Sequence, residues 1–413
     1  MKQDVSALIG AAEQELRETF LAFERTESEN TARVLAAFAH QRVAARHFAP
    51  STGYGYDDVG RDTLEALCAE VFRAGQAICR PALASGTHTL AVALFGLLLP
   101  GDELLILTGK PYDTLDGIIG FSGEPGSLAE MGVRARVLEL GADGLPDIPS
   151  ALAAMTDRTR VVFLQRSRGY ALRPSLLPSR MAPAIAAIKA SHPEAFVLVD
   201  NCYGAFVTGD EPSFYGADAV AGSLIKNLGG GLAPTGGYIA GTQEAIGRIE
   251  RRLTAPGIGR EVGSFEASYR PFYQGLFMAP HTVCQAKKTA ALAARVAEML
   301  GMRALPGAFE ARSDIIQALV LGSSERVIAY CRGIQAASPV DSFAKPEPWD
   351  MPGYADPVIM AAGTFVQGAS IELSCDAPMR EPYAVYQQGA LTYASGKLAV
   401  QTAFERLLEV GDA

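Results

Sequence analysis

This chain is poor in histidine and tryptophan, with five His and one Trp in 413 residues. Its six cysteines (Cys68, Cys79, Cys202, Cys284, Cys331 and Cys375) are scattered, without a C-x-x-C pair or a histidine at ligand spacing. That pattern argues against structural zinc and fits reduced thiols in a cytosolic chain. Long hydrophobic runs are missing as well: the longest, residues 90–99, stops at Pro100. A bilayer span takes about 20 apolar residues, so this run reads as a buried helix. At the amino end no basic region leads into an apolar core and a small-residue cleavage site, and a cytoplasmic location is expected. Positive charge is in the minority, 36 Lys and Arg against 45 Asp and Glu, for a net charge of −9. With pI ≈ 5.2 the chain has no excess of basic residues for nucleic acid or an anionic membrane, and neither partner is expected.

What is present is a globular composition, 49% apolar and 20% charged. At roughly 150 residues per domain, the length suffices for two or three domains. Residues 1–50 carry helical periodicity and many charges, and read as an arm that packs on the C-terminal domain or on a second subunit. They end at a breaker-rich loop, Pro50-Ser51-Thr52-Gly53-Tyr54-Gly55-Tyr56. A helix is expected next, with Asp57 or Asp58 as N-cap and Leu64, Leu67, Cys68, Val71 and Phe72 along one face.

From residue 80 onward, helices alternate with short apolar runs. Helices are expected at 87–98, 148–155 and 183–190, and strands at 103–107, 135–140, 160–165, 195–200, 219–223 and 237–240. Apolar runs bounded by Gly, Pro and Asp, alternating with helices, predict an α/β fold with a mostly parallel sheet buried on both faces. Sites are then expected at the carboxyl ends of the strands. Helical patterns return at 286–300 and 312–319, and a Pro-rich stretch at 344–349 precedes a strand-like part and a last helix at 391–408. A boundary near 280 divides a large domain, 51–280, from a smaller α+β domain, 281–413.

Four local features carry chemistry. Ser85-Gly86-Thr87-His88 opens an apolar helix, and free N–H groups at a helix start form an anion site. The same turn would serve as a plain N-cap through Ser85 or Thr87. Asp200 ends the apolar run Phe196-Val197-Leu198-Val199 and would face the crevice there, or cap the turn that follows. Lys226 stands between a strand and the run Gly229-Gly230-Gly231, which lets other atoms approach the backbone; it could also reach out to solvent. Tyr112 follows a strand end and a Pro turn, as a ring to stack on a ligand or simply to cover the core. Together they meet the needs of pyridoxal 5′-phosphate: a lysine for the Schiff base, an acid for the ring nitrogen, an anion cradle and an aromatic face.

Several segments resemble the methionine γ-lyase-like "aluminium resistance protein" family. They are residues 54–65 (YGYDDVGRDTLE), 85–88 (SGTH), 108–115 (TGKPYDTL), 165–170 (QRSRGY), 254–259 (TAPGIG) and 371–378 (IELSCDAP). The resemblance spans about residues 30–400. It implies a fold-type I pyridoxal phosphate enzyme related to the cystathionine lyases, with a mostly parallel seven-stranded sheet in the large domain. It further implies an amino-acid substrate and a homodimer or homotetramer with shared active sites. By matching motif, Lys226 would be the Schiff-base lysine and Asp200 the partner of the pyridine nitrogen. Ser85, Gly86, Thr87 and Ser223 would hold the phosphate, Tyr112 would stack on the ring, and Tyr54 or Tyr56 would reach across a subunit interface. Two departures from the cystathionine lyases stand out: Gln165–Tyr170 replaces an Asn-Pro segment, and Asp57 and Asp58 stand where an arginine accompanies the tyrosine loop.

The chemistry so implied is elimination of a thiol or other group from Cβ or Cγ of an amino acid, giving a 2-oxo acid and ammonia. Lys226 would move the α-proton if cationic, partly desolvated surroundings lower its pKa. Tyr54, Tyr56 or Tyr112 would serve as leaving-group acid, and Arg380, with Arg168 or Arg173 as alternatives, would grip the carboxylate. A replacement enzyme using the same intermediates, or an inactive binding protein of the same fold, uses the same residues. Asp57, Asp58 and Asp62 read as helix-start carboxylates, and no metal site is expected.

Overall fold

The computed structural model describes residues 4–351, 354 and 356–411. Seven strands form the large sheet: β1 (Gln76–Arg80), β2 (Glu103–Ile106), β3 (Arg134–Val137), β4 (Thr159–Gln165), β5 (Phe196–Asp200), β6 (Ala219–Ser223) and β7 (Gly237–Gly241). Their order is β1-β7-β6-β5-β4-β2-β3, parallel from β6 to β3 and antiparallel at the β1 end. The apolar runs are two-sided because the strands are buried on both faces: Val161 and Phe163 enter one core, Val162 and Leu164 the other. This is the expected α/β architecture. β1 was not apparent in the sequence, since Gln76 and Arg80 bracket only three less polar residues; buried Arg80 is neutralised by Glu65 at 2.7 Å.

A second, antiparallel sheet contains β8 (Arg303–Leu305), β9 (Ile316–Val320), β10 (Val358–Ala361), β11 (Ser374–Pro378) and β12 (Ala384–Gln388), in the order β10-β11-β12-β9-β8. The helix expected at 312–319 is therefore corrected to strand β9. Its apolar residues are buried between β8 and β12, and cross-strand pairing overrides a helical spacing that short runs imitate. The helix expected at 286–300 is the second half of a 30-residue helix, Arg270–Met299, that continues through Pro280. The division expected near residue 280 falls inside it. Phe272, Tyr273 and Leu276 pack in the core of the large sheet, and Ala291, Leu292 and Val296 in that of the small one.

The N-terminal helices Val5–Glu15 and Arg17–His40 lie along this long helix, and the first also meets the last helix, Tyr393–Gly411. Among the described residues no helix is long and apolar enough to cross a membrane.

One buried polar network fixes the loops after β4 and β5. Arg166, fully buried, donates from Nη1 to Asn201 Oδ1 at 2.8 Å and Glu211 Oε2 at 3.0 Å. Its Nε reaches Ser313 Oγ at 3.0 Å and its Nη2 reaches Thr208 Oγ1 at 2.9 Å. Glu211 also accepts from Phe206 N–H at 2.8 Å and Asn201 Nδ2 at 3.0 Å. Removing one partner strands a buried charge, whereas replacing both with apolar residues does not. Glu211→Ala is therefore expected to lower unfolding free energy by about 3–5 kcal/mol, and Arg166→Met/Glu211→Leu by less than the two single changes summed. Urea denaturation of the set checks this; a loss below about 1 kcal/mol for Glu211→Ala, the range of an exposed pair, overturns it.

Candidate active site

A cavity of about 240 Å³ opens at the carboxyl ends of β5 and β6, with β10 and β11 of the small sheet contributing to its lining. Ser85, Gly86, Thr87, Tyr112, Asp200, Ser223 and Lys226 all line it. The sheet register explains the convergence. Asp200, the last residue of β5, pairs with Gln165 on one side and Ala221 on the other, and Lys226 follows the end of β6.

Helix Gly86–Leu97 starts at this cavity. Ser85 is its N-cap, its Oγ accepting from His88 N–H at 3.0 Å, so the plain capping role is filled. The N–H groups of Gly86 and Thr87 have no carbonyl of their own helix to donate to. Space at 86 is tight: a Cβ there would stand 3.0 Å from Cys202 Sγ, where the turn after β5 closes on the helix start. Thr87 Oγ1 is tied to Thr114 Oγ1 at 2.9 Å. The glycine run after Lys226 serves packing: side chains on Gly230 or Gly275 would collide with the backbone of the facing segment, so the lysine loop lies directly on helix Arg270–Met299.

The electrostatics of the lysine differ from expectation. Withdrawal from water lowers the Lys226 pKa, but Tyr203, Cys202 and Asp200 outweigh that, and the net shift is upward. Its surroundings are thus anionic and aromatic, not cationic, and Lys226 Nζ sits 3.8 Å from the centre of the Tyr203 ring. Burial pushes the Asp200 carboxyl up, against a hydrogen bond from Cys202 N–H at 3.0 Å and the charge of Lys226. A cation placed beside Asp200 would draw it back toward the ionised form. Burial also raises the Cys202 thiol to about 12, which keeps it protonated. Tyr112 is anchored by Gln165 Oε1, which accepts from its N–H at 2.7 Å, and its hydroxyl meets Tyr354 OH at 2.7 Å.

The other residues singled out from the sequence lie elsewhere. Tyr54 and Tyr56 stack on each other at 5.5 Å between ring centres and are largely exposed, outside the cavity of their own chain. Their loop is held by Arg61, whose Nη1 donates to Gly55 O at 2.8 Å, and by Asp58, which caps helix Val59–Val71. Arginine therefore does accompany the tyrosine loop, four residues further on than Asp57. None of the three arginines proposed for the carboxylate lines the cavity. Arg380 is half-exposed and paired with Asp356 at 2.9 Å. Arg173 donates to the carbonyls of Ser167 and Gln165, and buried Arg168 lies near Asp314, which accepts from its backbone N–H at 3.3 Å. Arg173 thereby braces the loop after β4, while Arg168 Nε and Nη1 are buried without a partner among the described residues.

Among the lining residues that sequence reasoning missed are Tyr203, Tyr354, Ser374 and Asp376. Asp376 belongs to residues 371–378, already noted, and Tyr203 to the turn that follows Asp200, but no spacing assigns either a function. Tyr354 follows the Pro-rich stretch and carries no local signal.

The methionine gamma-lyase family model matches residues 5–408. The chain is 48% identical over 388 residues to the uncharacterized protein YnbB of Bacillus subtilis, covering 94% of this chain and 92% of that one. The crystal structure of a carbon-sulfur lyase involved in aluminum resistance from Clostridium novyi NT superposes with a TM-score of 0.94 at 43% identity, over 97% of this chain and 95% of that one. A pyridoxal-5′-phosphate dependent protein, YhfS of Escherichia coli, shares the fold at a TM-score of 0.64 and 17% identity, over 95% and 97% of the two chains. By the match across nearly its whole length, the chain belongs to the methionine gamma-lyase family.

Proposed function

We propose that the chain is a pyridoxal phosphate-dependent carbon–sulfur lyase that eliminates a thiol from Cβ or Cγ of an amino acid. The observation that carries this reading is the meeting of Lys226, Asp200, Tyr112 and the start of helix Gly86–Leu97 in one cavity. The residues fit the cofactor chemically. Two free N–H groups with the Ser85, Thr87 and Ser223 hydroxyls suit a phosphate, a buried carboxylate suits a protonated ring nitrogen, and an amine suits the aldehyde. Bound there, the cofactor supplies an electron sink for negative charge at the substrate α-carbon.

The chain's own side chains account for the proton movements. Lys226 Nζ takes the proton from the α-carbon, and the anionic and aromatic neighbours that raise its pKa favour the ammonium it then becomes. The Tyr112 hydroxyl, pushed well above its ordinary pKa by burial, stays protonated and can give its proton to the departing thiolate. For a leaving group on Cβ, the C–H bond at the α-carbon and the C–S bond break; for one on Cγ, a C–H bond at Cβ breaks as well and its proton returns to Cγ. The thiol leaves with the Tyr112 proton, the proton held by Lys226 restores Tyr112, and water hydrolyses the unsaturated product to a 2-oxo acid and ammonia. Tyr54 and Tyr56, 73% and 64% exposed, support a homodimer or homotetramer in which they complete a neighbouring site.

Protein loaded with pyridoxal phosphate is expected to absorb near the visible edge, and Lys226→Ala to lose that band. Borohydride should fix the pyridoxyl group on Lys226; peptide mapping to another lysine would overturn the assignment. Asp200→Ala is expected to cut turnover by well over tenfold, more than about 1.4 kcal/mol of barrier. A smaller fall, measured as 2-oxo acid release, would make Asp200 a structural residue only.

A further inference from the structure

The cavity wall contributed by the small sheet carries polar groups that the reading above leaves unused. Ser374 and Asp376, two residues apart on β11 and so on one face, both line the cavity. Gln388 of β12 stands opposite Ser374 in the register. Three buried acceptor atoms have no partner among the described residues: Ser374 Oγ, Asp376 Oδ1 and Gln388 Oε1. Asp376 is only 7% exposed, and its other oxygen is fixed by Gln388 Nε2 at 2.8 Å and Tyr170 OH at 3.2 Å. Among the described residues the lining contains no Arg or His, and its single cation, Lys226, is assigned to the cofactor.

We infer that this wall receives an ammonium group, and that the preferred substrate is a cysteine or homocysteine thioether whose leaving thiol ends in an amine. The inference rests on the carbon–sulfur lyase reading and names its substrate class. An ammonium offers three N–H donors and no acceptor, and the cavity lining holds two of the unpaired acceptors, Ser374 Oγ and Asp376 Oδ1, one of them on a carboxylate. The rings of Tyr112, Tyr203 and Tyr354 in the same lining add an environment that attracts cations. A thiol ending in a carboxylate meets repulsion from Asp376 instead.

Burial raises the Asp376 carboxyl to about 7, against the pull of Tyr170, Lys226 and Gln388. Around it, Lys226 is shifted toward its charged form, and Cys375, Tyr112, Tyr170 and Tyr354 are all shifted upward and stay neutral. Asp376 is thus the group that changes charge near neutrality. It is ionised above about 7 and loses its hold on a cation as the pH falls below that.

The test compares S-(2-aminoethyl)-L-cysteine with S-propyl-L-cysteine, equal in length, on the cofactor-loaded enzyme. The aminoethyl compound is expected to have a kcat/KM about tenfold or more higher, a ratio that grows from pH 6 to pH 8. Asp376→Asn should abolish the preference between the two compounds and its pH dependence, read as the ratio of their kcat/KM values. Equal kcat/KM for the two compounds in the wild-type enzyme, which requires no variant to fold, overturns this inference and leaves the lyase reading standing. So does a preference that survives Asp376→Asn. Cleavage of neither compound by enzyme that carries the cofactor overturns the lyase reading and this inference with it.

Discussion

The site depends on the buried ion pair between Arg166 and Glu211. Arg166 directly follows β4, and its partner Asn201 directly follows β5, one residue beyond Asp200. Two loops that leave neighbouring parallel strands are thereby tied to each other and to residues 206–211. A fully buried guanidinium must satisfy its donors, and each partner it finds removes freedom from a loop that borders the cavity. Asp200 is held at its strand end by the ladder of the sheet, and its neighbour Asn201 by this cross-tie.

A second constraint is electrostatic. Among the described residues, the cavity lining contributes one lysine against two aspartates, Asp200 from the large sheet and Asp376 from the small one. Burial raises both carboxyls, and Lys226 opposes the shift at both. The raised lysine pKa is the other side of the same coupling. In this setting the lysine ammonium is favoured by neighbours that are themselves costly to ionise, so a cationic ring or side chain introduced here would relieve the carboxylates.

Much of this was legible in the sequence wherever burial is uniform. β4, β5, β6 and β7 are apolar on both faces and stood out as short runs between breakers. Asp200 and Lys226 were legible because a charged residue at the end of such a run has a restricted set of places to go. β9 was misjudged because five residues of mixed spacing fit either period, and only its pairing with β8 and β12 decides. The arginines expected to grip a carboxylate lie outside the cavity lining: the Arg173 guanidinium serves loop carbonyls and that of Arg380 a surface acid, while Arg168 Nε and Nη1 are buried without a partner among the described residues. Asp376 and Tyr354 reach the cavity through the small sheet and its preceding loop, and no local pattern reports that kind of convergence.

Helix Arg270–Met299 has its first half in one core and its second half in the other, without interruption at Pro280. It behaves as a strut shared by both halves of the molecule. Gly275 presses against the glycine run next to Lys226, so the strut also bears on the loop that carries this lysine. A disturbance that tilted the small sheet would be transmitted through this rod to the lysine, and the distance between the two walls of the cleft is set by the stiffness of a single segment.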